Sequence, residues 1–187
     1  MDKDFLTKKE LHHISWDQYF ISISYLVAMR SKDPSTKIGC VIVGPDHEIL
    51  TTGYNGLPRG IEDKIERYQN KAYKYMSINH AEENAILNAV RIGTALKGCS
   101  LYTQWLPCSS CAKLIIQAGI EQVIYHEHFP GNIGLDRLDM FNNLNERWQE
   151  SMQLSRALME EAGLTIRPFS GSVLKLSGTY NGNTYEL

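Results

Sequence analysis

The sequence predicts an α/β protein of three layers, α/β/α, built on a mixed five-stranded sheet. Five short segments rich in β-branched and aliphatic residues are spread along the chain, and segments with a helical apolar period alternate with them. No internal repeat interrupts the alternation, and chains of this pattern lay helices on both faces of one sheet. With 187 residues the chain is long enough for one sizeable core, so a single domain is expected over residues 1–169.

Residues 15–30 place Tyr19, Phe20, Ile23, Leu26 and Val27 on one broad apolar face of a helix. Asp33-Pro34 ends it, because proline disfavours helical backbone in the residue before it. Residues 38–43 and 48–54 read as two strands joined by a turn at Gly44-Pro45-Asp46. A loop opening Asn55-Gly56-Leu57-Pro58-Arg59-Gly60 follows. Residues 61–77, rich in Lys, Glu, Tyr and Gln and irregular in pattern, are expected to form a long functional loop with at most a helical turn. Asn79 is expected to cap the next helix, in which Ala85, Ile86, Ala89 and Val90 recur at helical spacing. A strand at 100–104 leads into a further helix, opened by Pro107 and closed by Gly119, with Ala112, Leu114, Ile115 and Ala118 as its apolar period. A strand at 122–125, a half-buried helix at 146–162 that includes Trp148, Met152 and Leu158, and a strand at 164–169 complete the set. Residues 130–145 read as an insertion. Residues 170–187, rich in Gly, Ser, Thr and Asn, read as a loosely attached tail.

The chemistry concentrates at the starts of the two central helices, in His80-Ala81-Glu82 and in Pro107-Cys108-Ser109-Ser110-Cys111. One imidazole and two thiolates are ligands that zinc prefers. Three protein ligands leave a fourth tetrahedral position for water, the catalytic arrangement, and zinc brings the ionisation of that water near neutral pH. Glu82, one residue removed from His80, is the candidate proton carrier. Taken singly the parts are weak, since His-x-Glu recurs on surface helices and an isolated Cys-x-x-Cys suits structural zinc or redox chemistry. Together, in order, each at a helix start, they read as a zinc hydrolase. Cys40 and Cys99 lie in or beside strands and are expected to be small buried fillers, not a disulfide. The pairs His12/His13 and His126/His128 have no thiol neighbour and are assigned no second metal.

Nineteen basic and twenty-one acidic side chains give a net charge of -2, which argues against stable binding to nucleic acid. No run approaches membrane-spanning length, and Met1-Asp2-Lys3-Asp4 contains no apolar signal region. A reducing cytoplasm and no membrane partner are expected.

Four stretches carry a resemblance. They are Arg30-Ser31-Lys32-Asp33-Pro34-Ser35-Thr36-Lys37-Ile38-Gly39, Gly53-Tyr54-Asn55-Gly56-Leu57-Pro58, His80-Ala81-Glu82-Glu83-Asn84-Ala85-Ile86, and residues 107–120 from Pro107 onward. With the H-x-E and P-C-x-x-C pair of the zinc nucleobase deaminases, the sequence resembles the deoxycytidylate (dCMP) deaminase family of the cytidine deaminase superfamily. The likeness covers about residues 16–125 and resumes more loosely over 148–169. It implies a cytidine-deaminase-like fold and hydrolytic deamination of dCMP to dUMP and ammonia, supplying dUMP for thymidylate synthesis. His80, Cys108 and Cys111 would hold one zinc ion, and Glu82 would move the protons. Asn55 and the backbone of Ala81 would contact the nucleoside, while Arg30, Ser31, Thr36, Lys37 and the Tyr125 hydroxyl would hold the phosphate end.

Asn55 is also a natural turn residue before glycine, Tyr125 also an ordinary strand-end tyrosine, and Lys32 suits a solvated charge. The resemblance further implies a homo-hexamer, activated by dCTP and inhibited by dTTP with Mg2+, with Tyr54, Asn55, Gly56 and Arg59 shaping the effector site. Activity on dCTP as well as dCMP is an alternative. A tRNA adenosine deaminase would share the zinc motif but is disfavoured by the negative charge, and a non-catalytic zinc module by the presence of Glu82.

Overall fold

The computed structural model describes residues 13–128, 146–175, 177–180 and 183–186. His12 and the expected insertion at 130–145 lie outside them. The element order is α1 (Trp16–Ala28), β1 (Gly39–Val43), β2 (Ile49–Tyr54), α2 (Ile65–Gln69), α3 (Lys71–Ser77), α4 (Ala81–Ile92), β3 (Ser100–Thr103) and α5 (Ser109–Gln117). There follow β4 (Gln122–His126), α6 (Glu146–Glu161), β5 (Thr165–Phe169), β6 (Ser177–Tyr180) and β7 (Asn183–Glu186).

Five strands make one mixed sheet in the order β2-β1-β3-β4-β5. β1 runs antiparallel to both β2 and β3, whereas β3, β4 and β5 are parallel. Parallel neighbours need a crossover, and α5 and α6 supply the two required. Strand alternation then sorts the side chains into two cores. Cys40, Ile42, Leu101, Val123 and Tyr125 face the layer of α4, α5 and α6, while Val41, Val43, Tyr102 and Ile124 face α1 with its Phe20 and Ile21. Cys40 and Cys99 are buried free thiols.

Two glycines, Gly39 against α1 and Gly53 against α4, allow close helix–sheet approaches. A Cβ on Gly53 of β2 would stand 2.2 Å from the Ala81 carbonyl oxygen and 2.3 Å from the Ala85 nitrogen of α4. Backbone cannot yield to such a clash as a flexible side chain can. We expect Gly53→Ala to cost about 3 kcal/mol or more in chemical denaturation, at the upper end of overpacking effects. It should also shift the start of α4, and metal analysis should show a loss of bound zinc.

The structure departs from the sequence reading in three places. Residues 61–77 contain two short helices, α2 and α3, not an extended loop. α3 is capped by the Asn70 side chain, which accepts from the Tyr73 N–H. The residue capping α4 is His80, not Asn79, whose backbone instead pairs with Gly56 across an isolated bridge. Finally, residues 170–175 run along α1. Gln18 donates to the Ser172 carbonyl, the Leu174 N–H donates to Ser22 Oγ at 2.9 Å, and Val173 packs onto the α1 core. Beyond them β6 and β7 pair antiparallel.

Candidate active site

Two helix starts meet at the site. His80 is the N-cap residue of α4 and Cys108 that of α5, both in extended backbone conformation. The His80 N–H donates to Glu83 Oε2 at 3.3 Å, which fixes the first turn of α4. Cys111 follows Cys108 by three residues and so returns to the same side of α5 one turn later. His80 Nδ1 stands 3.3 Å from Cys108 Sγ and 3.5 Å from Cys111 Sγ, and the three ligand atoms lie within 4.8 Å of one another. A tetrahedral zinc with bonds of about 2.3 Å to sulfur and about 2.05 Å to nitrogen requires nitrogen–sulfur edges of about 3.6 Å. The donor set and its spacing therefore fit zinc, with Nδ1 as the ligating nitrogen.

In the metal-free chain these groups share protons. A hydrogen bond with the Cys111 thiol, reinforced by His80, holds the Cys108 thiol well below its ordinary value, and the same bond raises Cys111. The hydrogen bond with Cys108 raises His80 to about 9 against the opposing effect of burial. Burial pushes the Glu82 carboxyl up to about 7, with the His80 charge opposing it. Glu82 is 4% exposed, and its Oε2 is 3.8 Å from Cys111 Sγ. Zinc uptake must displace protons from His80 and Cys111, so binding should release protons and tighten as pH rises.

A pocket of about 170 Å³ opens onto His80, Glu82 and Cys108. One wall is aromatic, with Tyr75, Trp105 and Trp148 beside Leu106 and Met152. The lining also has a polar part, made by Asp33, Ser35, Thr36, Asn55 and Lys74. Asp33 is buried. Although burial raises its pKa, hydrogen bonds from Lys74 and Ser35 bring it below the usual carboxylate value. Lys74 Nζ lies 2.6 Å from Asp33 Oδ2. Asn55 fastens the loop between α1 and β1, its Oδ1 accepting from the Ile38 N–H and its Nδ2 donating to the Thr36 carbonyl, both at 2.9 Å.

Of the residues expected at the substrate, Ala81, Asn55 and Thr36 line this pocket, and Arg30, Ser31, Lys37 and Tyr125 are not among its lining residues. Ser31 is buried and donates to the Asn55 carbonyl, and Lys37 Nζ donates to the Ser31 carbonyl. Arg30 is exposed at the end of α1. Strand alternation turns Tyr125 into the core beneath α5. Tyr54, Gly56 and Arg59 border the outer side of α4. Asn84 donates to the Tyr54 carbonyl, and Arg59 donates to Asn88 Oδ1 at 2.7 Å. Sequence reasoning missed Ser35, Lys74, Tyr75, Trp105 and Trp148 as pocket residues. For Ser35 the signal was present, since it adjoins Thr36 in the loop singled out for phosphate.

The donor set fits zinc, and the sequence comparison points to a zinc-binding family. The pattern of the cytidine and deoxycytidylate deaminase zinc-binding region matches residues 14–127. The chain belongs to that family, and within it to the deoxycytidylate deaminases. It is 35% identical over 180 residues to the deoxycytidylate deaminase of Mus musculus, covering 92% of this chain and 90% of that protein. The deoxycytidylate deaminase of Homo sapiens is 36% identical over 169 residues, covering 87% of this chain and 84% of that one. The fold is also that of the dCMP deaminase from the cyanophage S-TIM5, crystallised with dCMP and dUMP. That match has a TM-score of 0.60 at 20% identity over 84% of this chain and all of the phage protein.

Proposed function

We propose that this chain is a zinc-dependent hydrolase that converts dCMP and water to dUMP and ammonia. The observation that carries the reading is the juxtaposition of His80, Cys108 and Cys111 with the buried Glu82, His80, Glu82 and Cys108 lining one pocket with Asn55, Thr36 and Lys74. The family's deoxycytidylate deaminases, similar over most of their length, support dCMP as the substrate.

His80, Cys108 and Cys111 would hold the zinc ion, which when bound would lower the pKa of water and so supply the nucleophile at neutral pH. Glu82 carries the protons. Its buried carboxyl, beside Cys111, can take a proton from the attacking water and give one to the cytosine N3 as oxygen bonds to C4. Glu82 then takes the remaining proton from the C4 hydroxyl and delivers it to the amine as the C4–N4 bond breaks, so that ammonia leaves and C4 keeps the oxygen as the uracil carbonyl. Ala81, at the start of α4, offers backbone to the base edge, and Asn55, its Oδ1 already accepting from the Ile38 N–H, offers the second lone pair of that oxygen to a sugar hydroxyl. Ser35, Thr36 and Lys74 belong to the polar part of the lining, and Lys74 is the one lysine or arginine lining the pocket among the described residues.

The 5′-phosphate is placed at that polar part. Charge-assisted contacts contribute about 1.5–3 kcal/mol, so dCMP should exceed deoxycytidine in kcat/KM by at least tenfold. Lys74→Met should remove most of that preference while deoxycytidine turnover changes little. Because the substitution leaves Asp33 buried and unpaired, it is best paired with Asp33→Asn. Equal efficiency of the wild type on both substrates would refute the nucleotide assignment.

Regulation by dCTP and by dTTP with Mg2+, and a hexameric assembly, are the finer parts of this proposal. The 54–60 loop, exposed at Tyr54, Arg59 and Gly60, is the place an effector triphosphate would meet. Kinetics with and without each effector, together with light scattering, test both parts.

A further inference from the structure

We propose that Trp148, in the first turn of α6, is the surface against which the pyrimidine ring of the substrate packs. The inference rests on the reading above for the identity of the substrate. α6 lies beyond the region matched by the family's pattern, so this contact comes from a part of the chain that the shared motifs do not define.

The Trp148 ring stacks beside His80 with centroids 6.1 Å apart and planes at 29°. Trp105 lies 5.7 Å away at 31°, and Tyr75 meets the ring edge-on at 6.4 Å. These neighbours hold the indole in place. The helix is held too, since Ser155 Oγ donates to the Pro107 carbonyl at 2.6 Å and Ser151 Oγ accepts from the Ser109 N–H. Met152 and Met159 anchor the same helix in the core. Trp148 is therefore a fixed wall of the pocket that contains Glu82.

A proton carried by Glu82 must reach N3 of the ring, so the pyrimidine has to lie near Glu82 in the pocket. There the aromatic wall offers a broad π face, whose favourable interaction with a heteroaromatic ring is stacking. Stacking ignores what is attached at the sugar's 5′ position. Trp148 should therefore act equally on deoxycytidine and dCMP, unlike Lys74, which concerns the phosphate alone.

The test uses the zinc-loaded full chain. Trp148→Ala should raise KM for dCMP and for deoxycytidine alike, each by about tenfold, with kcat little changed. Trp148→Phe, which keeps an aromatic face, should recover most of the loss. Titration with dCMP or deoxycytidine should change the tryptophan emission of the wild type saturably. Trp105 lines the same pocket, so the titration is read in a Trp105→Phe background, where adding Trp148→Phe should abolish the response and adding Trp16→Phe, in the distant α1, should retain it. The proposal is overturned if Trp148→Ala lowers the melting temperature but leaves both KM values unchanged, or if the response in the Trp105→Phe background survives Trp148→Phe. A wild type that turns over neither compound refutes the deaminase reading, and the emission titration then still judges the packing contact.

Discussion

Replacing Cys108 or Cys111 with alanine should take zinc from about one ion per chain to nearly none and reduce deamination to background. Three donors converge here, and no further group of three His, Cys, Asp or Glu side chains among the described residues has ligand spacing. Loss of one donor leaves a two-ligand remnant, which holds zinc poorly because the tetrahedral site depends on three protein bonds. Both thiols are almost fully buried, so truncation also removes a little apolar surface, worth about 1 kcal/mol. That loss is small beside the stabilisation zinc gives the folded wild type by mass action. The two contributions separate in thermal melts. Without metal, the variants should melt within a few degrees of the metal-free wild type. With zinc added, only the wild type should shift upward. Unchanged zinc content in either variant would overturn the ligand assignment.

How much of this was legible in the sequence depends on the range over which each feature is encoded. The five sheet strands alternate or run apolar over a few residues, so their positions could be read to within about two residues. The metal donors are encoded locally as well, by His-x-Glu at one helix start and Cys-x-x-Cys at another. Their meeting follows from helix starts gathering beside the carboxyl ends of strands.

The pocket wall is different. Lys74 sits on α3, a helix of 7 residues, too short for a periodic pattern to announce it. Trp148 is separated from the motif by residues 130–145, and nothing local distinguishes it from any half-buried helical tryptophan. Arg30 and Lys37 share a loop with Thr36, but loop sequence does not encode which way each side chain turns. Lys37 is drawn to the Ser31 carbonyl, leaving the pocket's cationic role to a residue from another element. Asn79 shows the same limit at a helix end. It has the chemistry of a cap, yet its backbone is occupied by Gly56 and the cap falls one residue later.

Glu82→Gln should separate chemistry from metal binding. The amide is nearly the size of the carboxyl, so the variant should fold, keep its zinc and bind dCMP, while turnover falls by about 10²- to 10⁴-fold. The larger figure is expected because one group serves several proton transfers in the cycle, and an amide can neither accept nor release a proton at neutral pH. Metal-free protein supplies a second readout. Burial lifts the Glu82 carboxyl from an ordinary 4.5 to about 7, so the folded state holds this proton more tightly than the unfolded state. The stability contributed by that proton is fully present below about pH 4.5 and is lost as pH rises through about 7. Glutamine has no such dependence. The melting temperature of metal-free Glu82→Gln should therefore gain on that of the metal-free wild type between about pH 5 and about pH 8. A buried catalytic group that costs the fold stability at working pH is the expected signature of a residue kept for chemistry. Loss of zinc together with activity would make Glu82 a ligand or a prop. Near-normal turnover with zinc retained would end its assignment as the proton carrier and turn the search to Glu83.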